Sequence, residues 1–231
     1  DADIAAVNEV LETRYLSLGP KIEAFEEAFA AEVGAAHAVG VNSGTSGLHL
    51  AVIAAGVGRR SFDDAQDRDF VITTPFSFIS SANCVLFERA IPVFVDIDPE
   101  TLNIDPTLVA QAAHDLARGG PAAQKWLPPS LRNTQYALRE ADGAGTDHAR
   151  GSVGPLKAIL PVDAFGQPAD YDPLREVADE HGLVVIEDSC EAIGAEYKGR
   201  RAGTLGDVGV FAFYPNKQMT LAEGGAEVLQ H

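Results

Sequence analysis

Three short segments of this chain combine the residue types and spacing that chemistry needs. Asn42-Ser43-Gly44-Thr45-Ser46-Gly47 stands between an apolar run and a helical pattern. Small residues let the backbone approach an anion, and a helix start offers unpaired N–H groups and a favourable dipole. Thr45 or Ser46 would add a hydroxyl, although an ordinary N-cap turn uses the same residues. The spacing matches neither the P-loop nor the dinucleotide fingerprint, so neither ATP nor NAD is suggested. In Ile186-Glu187-Asp188-Ser189-Cys190-Glu191, Asp188 falls just past an apolar strand. A buried carboxylate there needs a hydrogen-bonding or cationic partner, such as a protonated pyridine nitrogen. An Asp that caps the next turn would look the same. In Phe211-Ala212-Phe213-Tyr214-Pro215-Asn216-Lys217, followed by Glu223-Gly224-Gly225, a strand delivers a lone lysine into a turn. A partly desolvated lysine can form a Schiff base with an aldehyde, whereas a solvated surface lysine does nothing.

Each segment alone is ordinary; together they differ. A phosphate cradle, an acid for a ring nitrogen and a Schiff-base lysine are the parts that pyridoxal 5'-phosphate (PLP) requires. Phe78, after the second strand, is placed to stack on the ring face, with core packing as its plain alternative.

The elements around these segments alternate. Strands are expected at Ala38–Val41, Phe70–Thr73, Pro92–Val95, Ala158–Val162, Leu183–Ile186 and Val208–Phe211, the last two ending the series. Helices are expected near 45–55, 79–88, 106–116 and 173–181, and two more at Ile4–Leu11 and Ile22–Val33 around a Gly19-Pro20 break. Continuous apolar strands alternating with helices indicate an α/β fold with a mainly parallel central sheet covered on both faces. Active sites of such sheets gather at the carboxyl ends of the strands, where all three segments fall. Residues 1–35 read as an N-terminal helical segment and 36–231 as one cofactor-binding domain. Residues 119–154, rich in Gly, Pro, Ala and charge, read as a mobile surface insertion with a short helix around 131–140.

Composition narrows the function. The 231 residues carry 34 acidic and 17 basic side chains, a formal net charge of −17. Such a surface repels nucleic-acid phosphates and anionic lipid, so no nucleic-acid or membrane partner is expected. No apolar run approaches the roughly 20 residues that span a bilayer. The acidic start Asp1-Ala2-Asp3-Ile4 lacks the features of a signal peptide, which predicts a cytoplasmic protein. Cys84 and Cys190 show no metal-type spacing, so no metal and no disulfide framework is expected.

In this order, the motifs resemble the DegT/DnrJ/EryC1/StrS family of PLP-dependent sugar aminotransferases, of the fold-type I architecture. The resemblance runs from near residue 3 to Gly225 apart from the insertion. It rests on Leu18-Gly19-Pro20, Ser43-Gly44-Thr45-Ser46, Pro75-Phe76-Ser77-Phe78, Pro161-Val162-Asp163-Ala164-Phe165-Gly166-Gln167, Glu187-Asp188-Ser189-Cys190-Glu191-Ala192-Ile193-Gly194-Ala195 and Phe213-Tyr214-Pro215-Asn216-Lys217. It implies that Lys217 is the Schiff-base lysine and proton shuttle, that Asp188 partners the pyridine nitrogen, and that Phe78 stacks on the ring. It further implies that Gly44, Thr45 and Ser46 hold the phosphate. Glu191 falls where the family often has Gln or His near the cofactor's phenolic oxygen.

The sequence departs from the family pattern in three places. Ala212 stands where the family commonly has a phosphate-binding Ser, so other hydroxyls or a neighbouring subunit have to compensate, or phosphate affinity is lower. Glu191 places a carboxylate beside the phenolic oxygen. The chain also stops before the family's small C-terminal domain, as a truncated member would. The resemblance implies a homodimer that moves an amino group from an amino acid donor, glutamate, to a nucleotide-linked keto-sugar. Sugar dehydratases of the family carry His in place of the lysine, and Lys217 argues against them. A catalytically idle binding protein is the alternative that Ala212 and the early stop favour; Lys217, Asp188 and Phe78 oppose it.

Overall fold

The computed structural model describes residues 2–58, 68–132 and 155–230. Helices α1 (Ala2–Leu11) and α2 (Pro20–Val33) precede strand β1 (His37–Val41) and helix α3 (Gly44–Ala54). Then follow β2 (Phe70–Thr73), α4 (Ser80–Phe87), β3 (Ile91–Phe94), α5 (Pro106–Arg118) and α6 (Gly120–Gln124). After these come β4 (Leu156–Leu160), α7 (Tyr171–His181), β5 (Val184–Asp188), a small hairpin of β6 (Glu196–Tyr197) and β7 (Arg200–Arg201), β8 (Val208–Ala212) and β9 (Gly225–Leu229). Helix starts obey local chemistry. Pro20 and Pro106 occupy first-turn positions where no amide donor is needed, and the Asp105 carboxylate accepts from the amides of Thr107 and Leu108.

Seven strands form one sheet in the order β1-β9-β8-β5-β4-β2-β3. The ladders from β8 to β3 are parallel, while β9 runs antiparallel to both β8 and β1. Successive side chains of a strand point to opposite faces, and here both faces are apolar. Phe70, Ile72, Ile159 and Val185 enter a core with Val109, Ala112, Leu174 and Val177 of α5 and α7. Val71, Ala158, Leu160 and Ile186 enter the opposite core with Leu48, Val52 and Val85 of α3 and α4. A third cluster sets Phe29 and Val33 of α2 on Phe211, Phe213 and Val228. The mainly parallel α/β sheet expected from the sequence is the observed one.

Two expectations are corrected. The strand series does not end at β8, because β9 lies inside the sheet between β8 and β1. Its two leading residues look like loop glycine and alanine, and it buries a charged side chain, Glu227, so no apolar run marks it. The small hairpin was likewise not expected. The stretch from 119 is also not all surface. Helix α6 and the turn after it belong to the core: Ala123 and Leu127 are fully buried, and the Trp126 indole donates to Asp115 Oδ2 at 2.8 Å. Residues 133–154, with most of the helix expected at 131–140, lie outside the described residues.

Candidate active site

Six of the seven strands run the same way, so the ends of β1, β2, β4, β5 and β8 open on one edge. The start of β9 joins them there, with Gly225 paired to both Val41 and Ala212. Between these ends lies a cavity of about 690 Å³. Gly44, Thr45, Phe78, Asp188, Glu191 and Lys217 all line it. Chain segments up to about 170 residues apart in sequence are thus brought together by strand direction alone.

The α3 end is built for an anion. Ser43 caps the helix by accepting from the Ser46 amide at 3.1 Å, and the first-turn amides of Gly44 and Thr45 have no intrahelical acceptor. Thr45 Oγ1 and Ser80 Oγ lie 2.7 Å apart on the same wall. Ser46 is set back from the cavity, its hydroxyl 3.0 Å from that of Ser43. Ala212 is in the wall as well, and the hydroxyls of the lining belong to Ser43, Thr45, Ser77, Ser80 and Tyr214. Close approach is structural here. A Cβ on Gly225 would come within 2.8–2.9 Å of the backbone of Phe211, Ser43 and Gly44. Gly225→Ala is therefore expected to push β8 and the α3 start apart and to cost about 1–3 kcal/mol, the range of overpacking. Denaturant unfolding at fixed temperature would measure it, and an unchanged midpoint would refute the tight packing.

Asp188, the last residue of β5, is 6% exposed. Ser81 Oγ donates to its Oδ2 at 2.7 Å, Oδ1 takes a longer contact of 3.4 Å from the Cys190 amide, and the Cys190 side chain also bonds the carboxylate. Among the described residues no basic side chain pairs with it. A buried carboxylate without a cation is disfavoured, and this one faces the cavity; a protonated ring nitrogen would supply the missing charge. The same burial pushes the neighbouring Cys190 thiol up, so it stays neutral.

Behind Asp188 lies a second buried acid. Asp163 accepts from the Tyr171 hydroxyl (2.9 Å), the Ala169 amide (3.0 Å) and the Ser189 hydroxyl (2.6 Å). Desolvation outweighs these donors and raises it from 3.8 to about 6. Glu187, held by the amides of Gly203, Leu205 and Gly206, is raised by burial from 4.5 to about 8. A carboxyl raised in the folded state gives its full stability below its unfolded value and loses it as pH rises through the folded value. Asp163→Asn keeps acceptors for Ala169 and Tyr171 and can donate to Ser189. Its thermal midpoint is expected to exceed that of wild type above pH 6 and to converge with it near pH 4. Parallel curves across that window would remove the charge argument.

Lys217 sits in the connection from β8 to β9 with its side chain 15% exposed, and its Nζ donates to Glu191 Oε1 at 2.8 Å. Phe78 is 75% exposed and lines the cavity, so its packing in the core is excluded. Sequence reasoning missed Phe165, Tyr214, Asn216 and Ser80 in the walls, and Ser81 as the donor to Asp188. The pair Ser80-Ser81, two residues after Phe78, was the legible signal for the last two.

This edge can be set beside known proteins. A model of the DegT/DnrJ/EryC1/StrS aminotransferase family matches residues 1–118 and 146–231. The chain belongs to that family. The match leaves out residues 119–145. Spore coat polysaccharide biosynthesis protein SpsC of Bacillus subtilis is 38% identical over 223 residues, 96% of this chain and 45% of that protein. GDP-perosamine synthase of Caulobacter vibrioides is 36% identical over 220 residues, 95% of this chain and 47% of that protein. Among solved structures, DesV of S. venezuelae in complex with a ketimine intermediate superposes with a TM-score of 0.73 at 34% identity, covering all of this chain and 50% of that one. DesI in the presence of its TDP-sugar product gives 0.74 at 30% identity, covering all of this chain and 47% of that one. The chain spans about half the length of the curated relatives it matches. The family is one of PLP-dependent aminotransferases, and the fold is their fold-type I sheet.

Proposed function

We propose that residues 36–231 form a PLP-binding domain, and that the whole protein aminates a keto-sugar attached to a nucleotide. The observation that carries this is the meeting of Lys217, the unpaired Asp188 and the α3 N-terminus in one cavity. In this assignment Lys217 holds the cofactor, Gly44 and Thr45 bind its phosphate with Ser46 as cap partner, and Phe78 covers the ring. When bound, PLP supplies an aldehyde for amines and a ring that accepts electrons from a neighbouring carbon.

The residues divide the remaining work. The Asp188 carboxylate would keep a ring nitrogen protonated, which raises the ring's capacity to take up charge. Lys217, once free, would carry a proton between the carbon of the cofactor and that of the substrate. The low polarity around Phe76, Phe78 and Phe165 would keep water from the reacting face. Glutamate as donor, a nucleotide-linked keto-sugar as acceptor, a homodimer and a cytoplasmic setting complete the proposal; the names GDP-perosamine synthase and DesI with its TDP-sugar product support the nucleotide-linked sugar.

The test is intact and peptide mass spectrometry after incubation with PLP and borohydride reduction. A pyridoxyl mass on the Lys217 peptide is the expected result. With glutamate added before reduction, the absorbance should shift to that of the pyridoxamine form. A folded chain that gives no adduct would instead favour the catalytically idle alternative, which Ala212 in the phosphate wall supports.

A further inference from the structure

Glu191 touches two separate walls of the cavity at once. Its Oε1 accepts from Lys217 Nζ at 2.8 Å, and its Oε2 accepts from the backbone amide of Phe165 at 3.2 Å. Its own carbonyl accepts from the Gln218 side-chain amide, next to Lys217. Phe165 is held with φ 55 and ψ 24, a left-handed conformation that costs a bulky residue about 1 kcal/mol or more unless its surroundings enforce it. Its ring is 75% exposed and meets Phe76 edge to face at 5.8 Å, so the two form an aromatic lip on the cavity. Nothing else among the recorded bonds of the described residues holds the Phe165 amide. The strained turn and the lysine therefore share one carboxylate.

We propose that Glu191 is a positioning residue that couples the state of Lys217 to the aromatic lip at Phe165. This deepens the proposed function and rests on the cavity being a PLP site. In the free chain, the ammonium of Lys217 presents three N–H donors and Glu191 takes one. Condensation with an aldehyde forms a C=N bond, breaks the aldehyde C=O bond and releases its oxygen as water with two of the ammonium protons. One N–H remains, fixed in direction by the new double bond and with the positive charge retained. Glu191 turns to follow that single donor. The turn pulls its other oxygen from the Phe165 amide, and the strained backbone loses the bond that enforces it. Lys217 occupancy thus loosens the lip through which a substrate would pass.

Hydrogen exchange read by mass spectrometry on a peptide spanning Ala164 to Gln167 tests this in the 231-residue chain. Two variants separate the two bonds of Glu191. Glu191→Gln keeps an acceptor oxygen for Phe165 but turns an amide N–H₂ toward Lys217, whose ammonium cannot accept from it, and Glu191→Ala loses both bonds. In the free chain the Phe165 amide is expected to exchange at least about tenfold faster in Glu191→Ala than in wild type, the worth of one charge-assisted hydrogen bond. Glu191→Gln should restore protection. After PLP trapping, exchange at the same peptide is expected to rise about tenfold in wild type and to stay unchanged in Glu191→Gln, whose lip is no longer tied to the lysine. An adduct on Lys217 with no change in wild-type exchange overturns the coupling and leaves the cofactor site standing. Absence of any adduct overturns the cofactor site and the coupling with it. Equal exchange in free wild type and Glu191→Ala shows that the bond to Phe165 is not formed, which also overturns the proposal.

Discussion

Lys217→Ala is expected to abolish the borohydride-trapped PLP adduct while leaving the chain folded. The lysine lies in a connection outside the regular elements, and its side chain pairs with the partly exposed Glu191. Its loss leaves a carboxylate that water still reaches and costs about 1–2 kcal/mol, so the thermal midpoint should fall by only a few degrees. In the whole protein, amination should fall on the order of 10²- to 10⁴-fold or more, because both the covalent link and the positioned acid–base group are lost. Trapping and melting curves on the same preparation check both halves. An adduct that survives on another lysine, such as Lys198 or Lys125, would refute the assignment of Lys217.

Asp188→Asn should act with opposite sign on the free and the loaded protein. Without a cation, the buried carboxylate is a cost, so the amide is expected to raise the stability of the free chain by about 1 kcal/mol, as relief of a site-related strain commonly does. With PLP bound, the same change removes one half of a buried charge pair, a loss of about 3 kcal/mol that weakens PLP binding about 100-fold. Thermal melting without cofactor and a PLP titration followed by absorbance separate the two effects. A variant that is less stable when free and binds PLP as tightly as wild type would show that Asp188 is structural only.

Much of this was readable because strand direction is. The apolar runs from Phe70 to Val210 are continuous and β-branched, which identifies a covered parallel sheet, and a parallel sheet sends every strand end to one side. That placed Ser43 to Ser46, Asp188 and Lys217 near one another before any coordinates. What stayed hidden has equally local causes. β9 begins Gly225-Ala226 and carries Glu227, so its burial comes from the strands beside it rather than from its own residues. Ala123 and Leu127 sit in a stretch rich in Gly, Pro and Ala, where two buried side chains do not make a period. The bond from Glu191 to Phe165 joins two turns 26 residues apart and follows from a side-chain rotamer, to which sequence spacing is blind. Ser46 was placed by type, but the cap geometry of α3 uses its hydroxyl inward.

The antiparallel β9 also sets a timetable. β1 has one neighbour in the sheet, and that neighbour is β9, about 190 residues further along the chain. Pairing over such a separation closes a large loop and is slow compared with local contacts. During synthesis, β1 and α3 emerge early with the turn between them, yet the strand that fixes them to β8 emerges only after β8 itself. Lys217 is therefore already on the chain before its counterpart wall is locked. A ribosome-bound intermediate that has emerged only as far as Lys217 would carry Gly44, Thr45, Asp188 and Lys217 and still lack the strand that locks their walls together.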